Sequence, residues 1–526
     1  RPTYPELLSA VPYPQTEHYV GREEITAAVS KRLIAGESCY LHGIGGIGKT
    51  EIAKSVLKEI LDTPTSDSGI THVLWVDCID DNFTLSLVHA LHLDQKFHNI
   101  EQAFQEAIKL INNYKDRLLI VIDNVDNLEH ARESSISEYL HCRVLITSRC
   151  TGFGSLTEIP IPFLSLNDCL KLFYAYFHGD RDDITLRKIV ELCDCLPLAV
   201  ELFAKIADAE ELLLYEFYET LLRCGFDLSS EEVTSAHEKL HSEGTVIQQL
   251  SKVFRVYGRS PEDQTLLVQI STIPNIRFLF SQAKRWFSLK NRAPLNRLEH
   301  LGWIKKEALY DNGRNRYRYY MHSVIAAAIR AQFIDDLYDL CHGFIHEITI
   351  EMTSSLSQND ATKKELIQFS WSLNDIFHGQ FHSEEDSDFL WALAEIYRDI
   401  GYYERALPLL DSLDTLYCQL YGDGNIKLAS VWNSRGMIQY ELSHFPDALD
   451  AYQKIRDIYE KNHPSGSYSP SERIDLAKLD LNIGKTYLKI DYTKAGDYFD
   501  RAYQTLSGEA EAEQHLKQNA LAHKAM

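Results

Sequence analysis

Eight consecutive residues, Gly43-Ile44-Gly45-Gly46-Ile47-Gly48-Lys49-Thr50, carry the spacing G-x-x-x-x-G-K-[ST]. Glycines there let successive backbone N–H groups close around a phosphate, Lys49 reaches β- and γ-phosphate oxygens, and the Thr50 hydroxyl serves Mg²⁺. Gly43, Gly45, Gly46, Ile47, Gly48, Lys49, Thr50 and the adjoining Glu51 are therefore candidate nucleotide contacts. The apolar run Leu118-Leu119-Ile120-Val121-Ile122 ends in Asp123, an acid placed beside the loop to hold the metal's shell, so Thr50 and Asp123 form the candidate metal pair. Asn124 follows, with Asp126 two further on; the second acid often found directly after the first is absent, and slow hydrolysis is expected. A further run, Arg143 to Thr147, leads to Ser148-Arg149, whose guanidinium at a sheet's carboxyl edge either senses a γ-phosphate or makes a surface ion pair. Lys49, Asp123 and Arg149 are the candidate catalytic groups. Gly484-Lys485-Thr486 repeats the end of the phosphate motif without a Gly-rich loop, in the middle of a helical pattern, where repeat packing accounts for its glycine.

The phosphate loop works only at a strand-to-helix turn, and the flanking patterns provide one: a strand over Ser38 to His42 and a helix over Lys49 to Leu61. An amphipathic helix over Glu24 to Ile34 precedes them, and strands at Val73 to Val76, Leu118 to Ile122 and Val144 to Thr147 alternate with helices such as Glu101 to Asn112. That alternation predicts an α/β domain with a parallel sheet over 18–163. A helical domain is expected over 164–243 and a winged helix over 244–332, whose hairpin turns at Asp311-Asn312-Gly313. Residues 333–389 read as a helical linker. Over 390–526, Ala406 with Leu410, Ala448 with Tyr452 and Ala495 with Phe499 each set a small residue four before a large one, after helices bearing Tyr397, Tyr440 and Tyr487. This predicts a solenoid of tetratricopeptide-like repeats, which binds peptides or protein surfaces. Residues 1–17 hold four prolines and no periodicity and read as a linker from something upstream, and Leu516 to Met526 as a helix cut short.

At 526 residues the chain has room for three or four domains of roughly 150 residues each. Its net charge of −23 argues against a broad nucleic-acid or anionic-membrane surface. No apolar run approaches the roughly 20 residues of a membrane span, and ten scattered cysteines without metal spacing read as reduced cytosolic thiols. The stretch His382 to Asp388 reads as an acidic loop between helices rather than a metal site. Lys305, Lys306, Arg314, Arg316 and Arg318 make the hairpin basic, which is how winged helices often contact DNA, but the acidic chain argues against that here.

The order of these motifs resembles the NB-ARC branch of the STAND (signal-transduction ATPases with numerous domains) class. Val20-Gly21-Arg22-Glu23 is similar to that family's first motif, whose backbone and arginine contact adenine, which nominates Val20 and Arg22. Gly43 to Thr50, Ile120 to Asp123 and Thr147-Ser148-Arg149 match its Walker A, Walker B and sensor motifs. Cys195-Leu196-Pro197-Leu198-Ala199 resembles its G-L-P-L-A motif with Cys195 in place of glycine, and the resemblance implies that Pro197 packs on the base. Met321-His322-Ser323 stands where the family has Met-His-Asp, with Ser323 replacing the aspartate. Unaided, His322 reads as a packing histidine; the resemblance implies that it reaches the β-phosphate of ADP.

The resemblance implies a cytoplasmic switch, off with ADP and on with ATP and Mg²⁺, and at most a slow ATPase. A protein trigger would bind the solenoid, self-association would follow, and an effector upstream of residue 1 would be activated, in immune or antiphage defence. No membrane and no direct nucleic-acid partner are expected. The alternatives are a transcription regulator of the same class, with its DNA-binding domain outside this chain, and a constitutive ATPase.

Overall fold

The computed structural model describes residues 2–11, 18–78, 83–93, 96–97, 99–125, 141–153, 156–226, 228, 243–257, 260–311, 314–357, 360–464, 466–508 and 518. They form two compact units, one of residues 1–348 with 360–377, the other of 349–359 with 378–526. Asp126, the turn residues Asn312 and Gly313, and all of Leu516 to Met526 except Gln518 lie outside the described residues.

The first unit opens with β1 (Glu6–Leu7), α1 (Glu23–Ile34), β2 (Cys39–His42), α2 (Lys49–Asp62), α3 (Thr65–Ser68), β3 (His72–Asp77), α4 (Phe83–Ala90), α5 (Ile100–Tyr114), β4 (Leu118–Asp123), β5 (Arg143–Ser148) and β6 (Thr157–Pro160). The strands are all parallel, in the order β1-β3-β4-β5-β2-β6. Helices cover both faces of such a sheet, which is why β4 is continuously apolar and fully buried from Leu118 to Ile122. α2 packs on β4 and β5 and buries Ile52, Val56, Leu57 and Ile60, each worth roughly 1.5–3 kcal/mol on burial. β5 lies between β2 and β4, so the phosphate loop and Asp123 meet across it.

The strands β1 and β6 were not legible from spacing because each is short and mostly exposed. Glu6 and Leu7 pair with His72 and Val73, and Ser9 Oγ both donates to the Trp75 carbonyl (2.9 Å) and accepts its N–H (2.8 Å). The expected linker 1–17 thus contributes a sheet edge.

Four helices follow: α6 (Leu166–Tyr176), α7 (Asp183–Leu192), α8 (Pro197–Ala209) and α9 (Leu214–Arg223). Ser165 and Asp182 cap the first two by accepting from the backbone N–H of Asp168 and Thr185, and Pro197 starts α8 at the position where its missing N–H costs nothing. The winged helix comprises α10 (Glu243–Tyr257), α11 (Pro261–Ser271), β7 (Phe278–Leu279), α12 (Phe280–Trp286), α13 (Ala293–His300), β8 (Lys305–Asp311), β9 (Arg314–Tyr320) and α14 (Ser323–Gln332), with an antiparallel sheet in the order β7-β9-β8.

Two more helices, α15 (Leu337–Ser355) and α16 (Asp360–Phe377), lie in the stretch 333–389 expected to be helical. The Trp286 ring lies 4.6 Å from Phe369, Phe287 lies 4.8 Å from Phe344, and Ser372 Oγ donates to the Thr272 carbonyl at 2.7 Å. Those aromatic rings are buried against the winged helix, so α16 and the first part of α15 belong to the same packed body.

The second unit contains the helix pairs α17 (Glu384–Asp399) with α18 (Tyr403–Tyr421), α19 (Leu428–Glu441) with α20 (Phe445–Asn462), and α21 (Pro470–Tyr487) with α22 (Tyr492–Gly508). Small residues let the pairs close: a Cβ at Gly436 would sit 2.4 Å from Tyr452 Cε1, and one at Gly484 would sit 2.6 Å from Phe499 Cε1. Gly484 is thus a packing glycine. The acidic stretch expected as a loop instead opens α17, with Ser383 and Asp386 in a reciprocal capping box. Among the described residues no helix is long and apolar enough to cross a membrane.

Candidate nucleotide-binding site

The phosphate loop turns from β2 into α2 through Gly46 (φ 84°) and Gly48 (φ 102°), conformations that side chains resist. At Gly46 space is equally demanding, since a Cβ would lie 2.7 Å from Leu198 Cβ, and the Leu198 N–H donates to the Gly46 carbonyl at 3.3 Å. The first turn of α8 is thereby seated on the loop. Lys49 Nζ donates to the Gly43 and Ile44 carbonyls at 2.7 and 3.1 Å.

Thr50 Oγ1 donates to Asp123 Oδ1 at 2.9 Å, and Thr147 Oγ1 from β5 donates to the same oxygen at 2.5 Å. Burial and the neighbouring Asp77 carboxylate push the Asp123 carboxyl up to about 6, against the hydrogen bonds from Thr147 and Thr50. A hydroxyl and a carboxylate are the hard oxygen donors that Mg²⁺ takes, so this pair fits the ion.

An open cleft of about 1190 Å³, counting the space at its mouth, runs over this loop. Val20, Arg22, the loop from Gly45 to Glu51, Asp123, Arg149, Pro197 and His322 all line it, which brings together every candidate site residue except Gly43; Gly43 contributes its carbonyl to Lys49. The lining is of two kinds. Val20, Leu164, Leu172, Tyr176 and Pro197 suit a base, and Lys49, Arg149, Lys305 and His322 suit phosphates. Arg22, buried at the cleft wall, donates from Nη2 to the Ile47 carbonyl at 3.2 Å and so braces the loop.

The winged helix closes over the cleft. Arg149 Nη2 donates to Oγ of Ser323, the first residue of α14. His322 caps that helix, with Nδ1 accepting the Val324 N–H at 3.2 Å, which leaves the ring proton on Nε2. Burial, Lys305, Arg149 and Lys49 pull its pKa down to about 3, so it is neutral at physiological pH.

Several cleft residues carried no motif. Lys305 of β8 belongs to the basic hairpin, yet its Nζ donates to Glu201 of α8 at 3.0 Å. Burial opposes the charge on Lys305, but Glu201 more than restores it. Arg277 pairs with Asp77 of β3 and, at 2.9 Å, with Glu307. Lys54 of α2 bonds Glu51 at 3.1 Å and lies 4.0 Å from Glu307. Sequence offered no signal for the Lys305–Glu201, Arg277–Asp77, Arg277–Glu307 and Lys54–Glu307 pairs beyond their charge, because each joins distant segments.

Residues 22–181 match the NB-ARC domain family, with the phosphate loop, Asp123 and Arg149 inside the matched span. The chain carries an NB-ARC domain. The matched segment holds the phosphate loop, so this part of the chain is a nucleotide-binding P-loop domain, and helical repeats follow it. The NB-ARC match ends before Pro197 and His322. Over 99% of this chain and 81% of the other, the fold aligns with a STAND protein with a tetratricopeptide repeat sensor from Pyrococcus horikoshii, at 15% identity and a TM-score of 0.44. A Walker-type ATPase of Pyrococcus abyssi aligns over 61% of this chain and 99% of its own, at 14% identity and a TM-score of 0.29. No curated protein matches.

Proposed function

We propose that the chain is a nucleotide-controlled switch, held off by ADP and turned on by ATP. The observation that carries this reading is the single cleft shared by Lys49 and Arg149 of the NB-ARC domain with His322 and Ser323 of the winged helix. A nucleotide there touches both domains at once, so its binding energy is spent on their closure. Lys49 and the loop N–H groups hold the phosphates, Pro197 and its apolar neighbours hold the base, and His322 Nε2–H donates to a β-phosphate oxygen. When bound, Mg²⁺ neutralises phosphate charge, and Thr50 with Asp123 would hold it. A γ-phosphate competes with Ser323 for Arg149, which loosens the closed form.

A protein trigger on the repeats shifts the balance only through its different affinity for the closed and open states. The opened chains then associate and bring upstream effectors together, a design suited to immune or antiphage defence in the cytoplasm. The test is Lys49→Ala. It should abolish binding of fluorescent ADP and ATP and leave the chain unable to assemble, whereas retained binding with normal assembly overturns the reading.

A further inference from the structure

Asp77 ends β3 in register with Asp123 at the end of β4, so two carboxylates share the edge of the sheet where ligands of such sheets bind. Asn124, with a left-handed φ of 65°, ties them together: its Nδ2 donates to Asp77 Oδ1 at 3.2 Å and to Asp123 Oδ2 at 3.4 Å. Asp123 Oδ1 is already engaged by Thr50 and Thr147. The remaining Asp77 oxygen, Oδ2, is taken by Arg277 of the winged helix, whose guanidinium also holds Glu307 and lies 5.1 Å from the Tyr320 ring. Arg277 lines the cleft, and Asp77 does not. The second acid missing after Asp123 is therefore present on the neighbouring strand, covered by a cation from the domain that closes the site.

We propose, resting on the switch reading above, that Asp77 is the general base of a slow ATP hydrolysis and that Arg277 withholds it while the winged helix is closed. With the winged helix displaced, the Asp77 carboxylate takes a proton from water. The water oxygen bonds to the γ-phosphorus as the bond from that phosphorus to the β–γ bridging oxygen breaks, and the electron pair leaves with ADP. Asp77 then returns the proton to the released phosphate, so ATP and water become ADP and phosphate with no other reactant. Asn124 orients the carboxylate throughout. Hydrolysis then follows opening and resets the switch, because the base is out of reach until Arg277 has gone.

The test uses the full chain and three readouts: binding of fluorescent ADP and ATP, the nucleotide retained after loading with ATP, and single-turnover hydrolysis. Asp77→Asn should keep ATP binding within about tenfold, lose at least about 100-fold in hydrolysis, and retain ATP where the parent protein retains ADP. Hydrolysis at the parent rate with binding intact overturns the proposal. Arg277→Gln leaves Asp77 in place and tests it independently: hydrolysis should speed up, and the double variant should be as slow as Asp77→Asn, while an unchanged or slower rate in Arg277→Gln overturns the masking. A parent chain that binds neither nucleotide overturns the switch reading itself, and the proposal with it.

Discussion

Arg149, just past β5 of the NB-ARC domain, donates from Nη2 to Ser323 Oγ, the first residue of α14 in the winged helix, at 2.5 Å. The resemblance puts an aspartate at position 323, where a carboxylate would meet the same guanidinium. Ser323→Asp should therefore tighten the closed form and slow ADP release by about 3- to 10-fold, since hydrogen bonds between charged groups are roughly twice as strong as neutral ones. Ser323→Ala should cost about 1 kcal/mol and hasten release. Chasing a fluorescent ADP with unlabelled ADP measures both, and equal rates in all three proteins would remove this contact from the lock.

His322 gives the closed form a pH dependence. Its pKa is near 3 when folded, against an ordinary value of 6.5, so the unfolded chain binds a proton that the folded one refuses. The stability it confers is complete above about pH 6.5 and drains away as pH falls toward 3, at up to about 1.4 kcal/mol per pH unit. Asp123, raised to about 6, slopes the opposite way below that value, so the clean comparison is with His322→Gln. Melts across this range should show the parent losing stability relative to the variant as the solution is acidified. Parallel pH profiles would mean that the imidazole is as readily protonated in the fold as outside it.

The repeats close on glycines. Adding a methyl group at Gly436 or Gly484 places it 2.4 Å from Tyr452 or 2.6 Å from Phe499, rings that are themselves buried. Gly436→Ala and Gly484→Ala should each destabilise the repeat unit by about 1–3 kcal/mol, read as a lowered melting temperature of the full chain. A gain in stability, as an exposed helical glycine would give, would contradict this packing.

Cys195 stands where the resemblance expects glycine, in a left-handed backbone. α7 ends in a Schellman motif, with the Cys195 N–H on the Val190 carbonyl and the Asp194 N–H on the Glu191 carbonyl; Asp194 and Cys195 have φ of 45° and 57°. A left-handed residue with a side chain costs about 1–2 kcal/mol. Cys195→Gly should therefore raise the melting temperature by a few degrees and leave nucleotide affinity unchanged. A fall would mean that the thiol's packing beside Cys169, whose Sγ lies 3.8 Å from the Cys195 carbonyl, outweighs the strain.

The phosphate loop, the Asp123 strand and the Arg149 strand were legible because each is a contiguous segment whose local pattern states its own conformation. The alternation of strands and helices likewise announced the α/β domain, and small-then-large pairs such as Ala448 with Tyr452 announced the repeats. The cleft's other half was not legible. Arg277 and Asp77 are 200 residues apart and Lys305 and Glu201 are 104 apart, and nothing local tells a charge that will face a partner from one that will face water. Lys305 was grouped with its exposed neighbour Lys306 for that reason. The same limit hid where the helix α16 packs, since Phe369 shows its purpose only beside Trp286.

The most direct test of the nucleotide clamp is the identity of whatever nucleotide copurifies with the chain, released by denaturation and separated by anion exchange, beside the mass of the native particle. The account predicts ADP, close to one per chain, on a monomer, and none on Lys49→Ala. A parent protein that carries no nucleotide and gains no thermal stability from added ADP would contradict it.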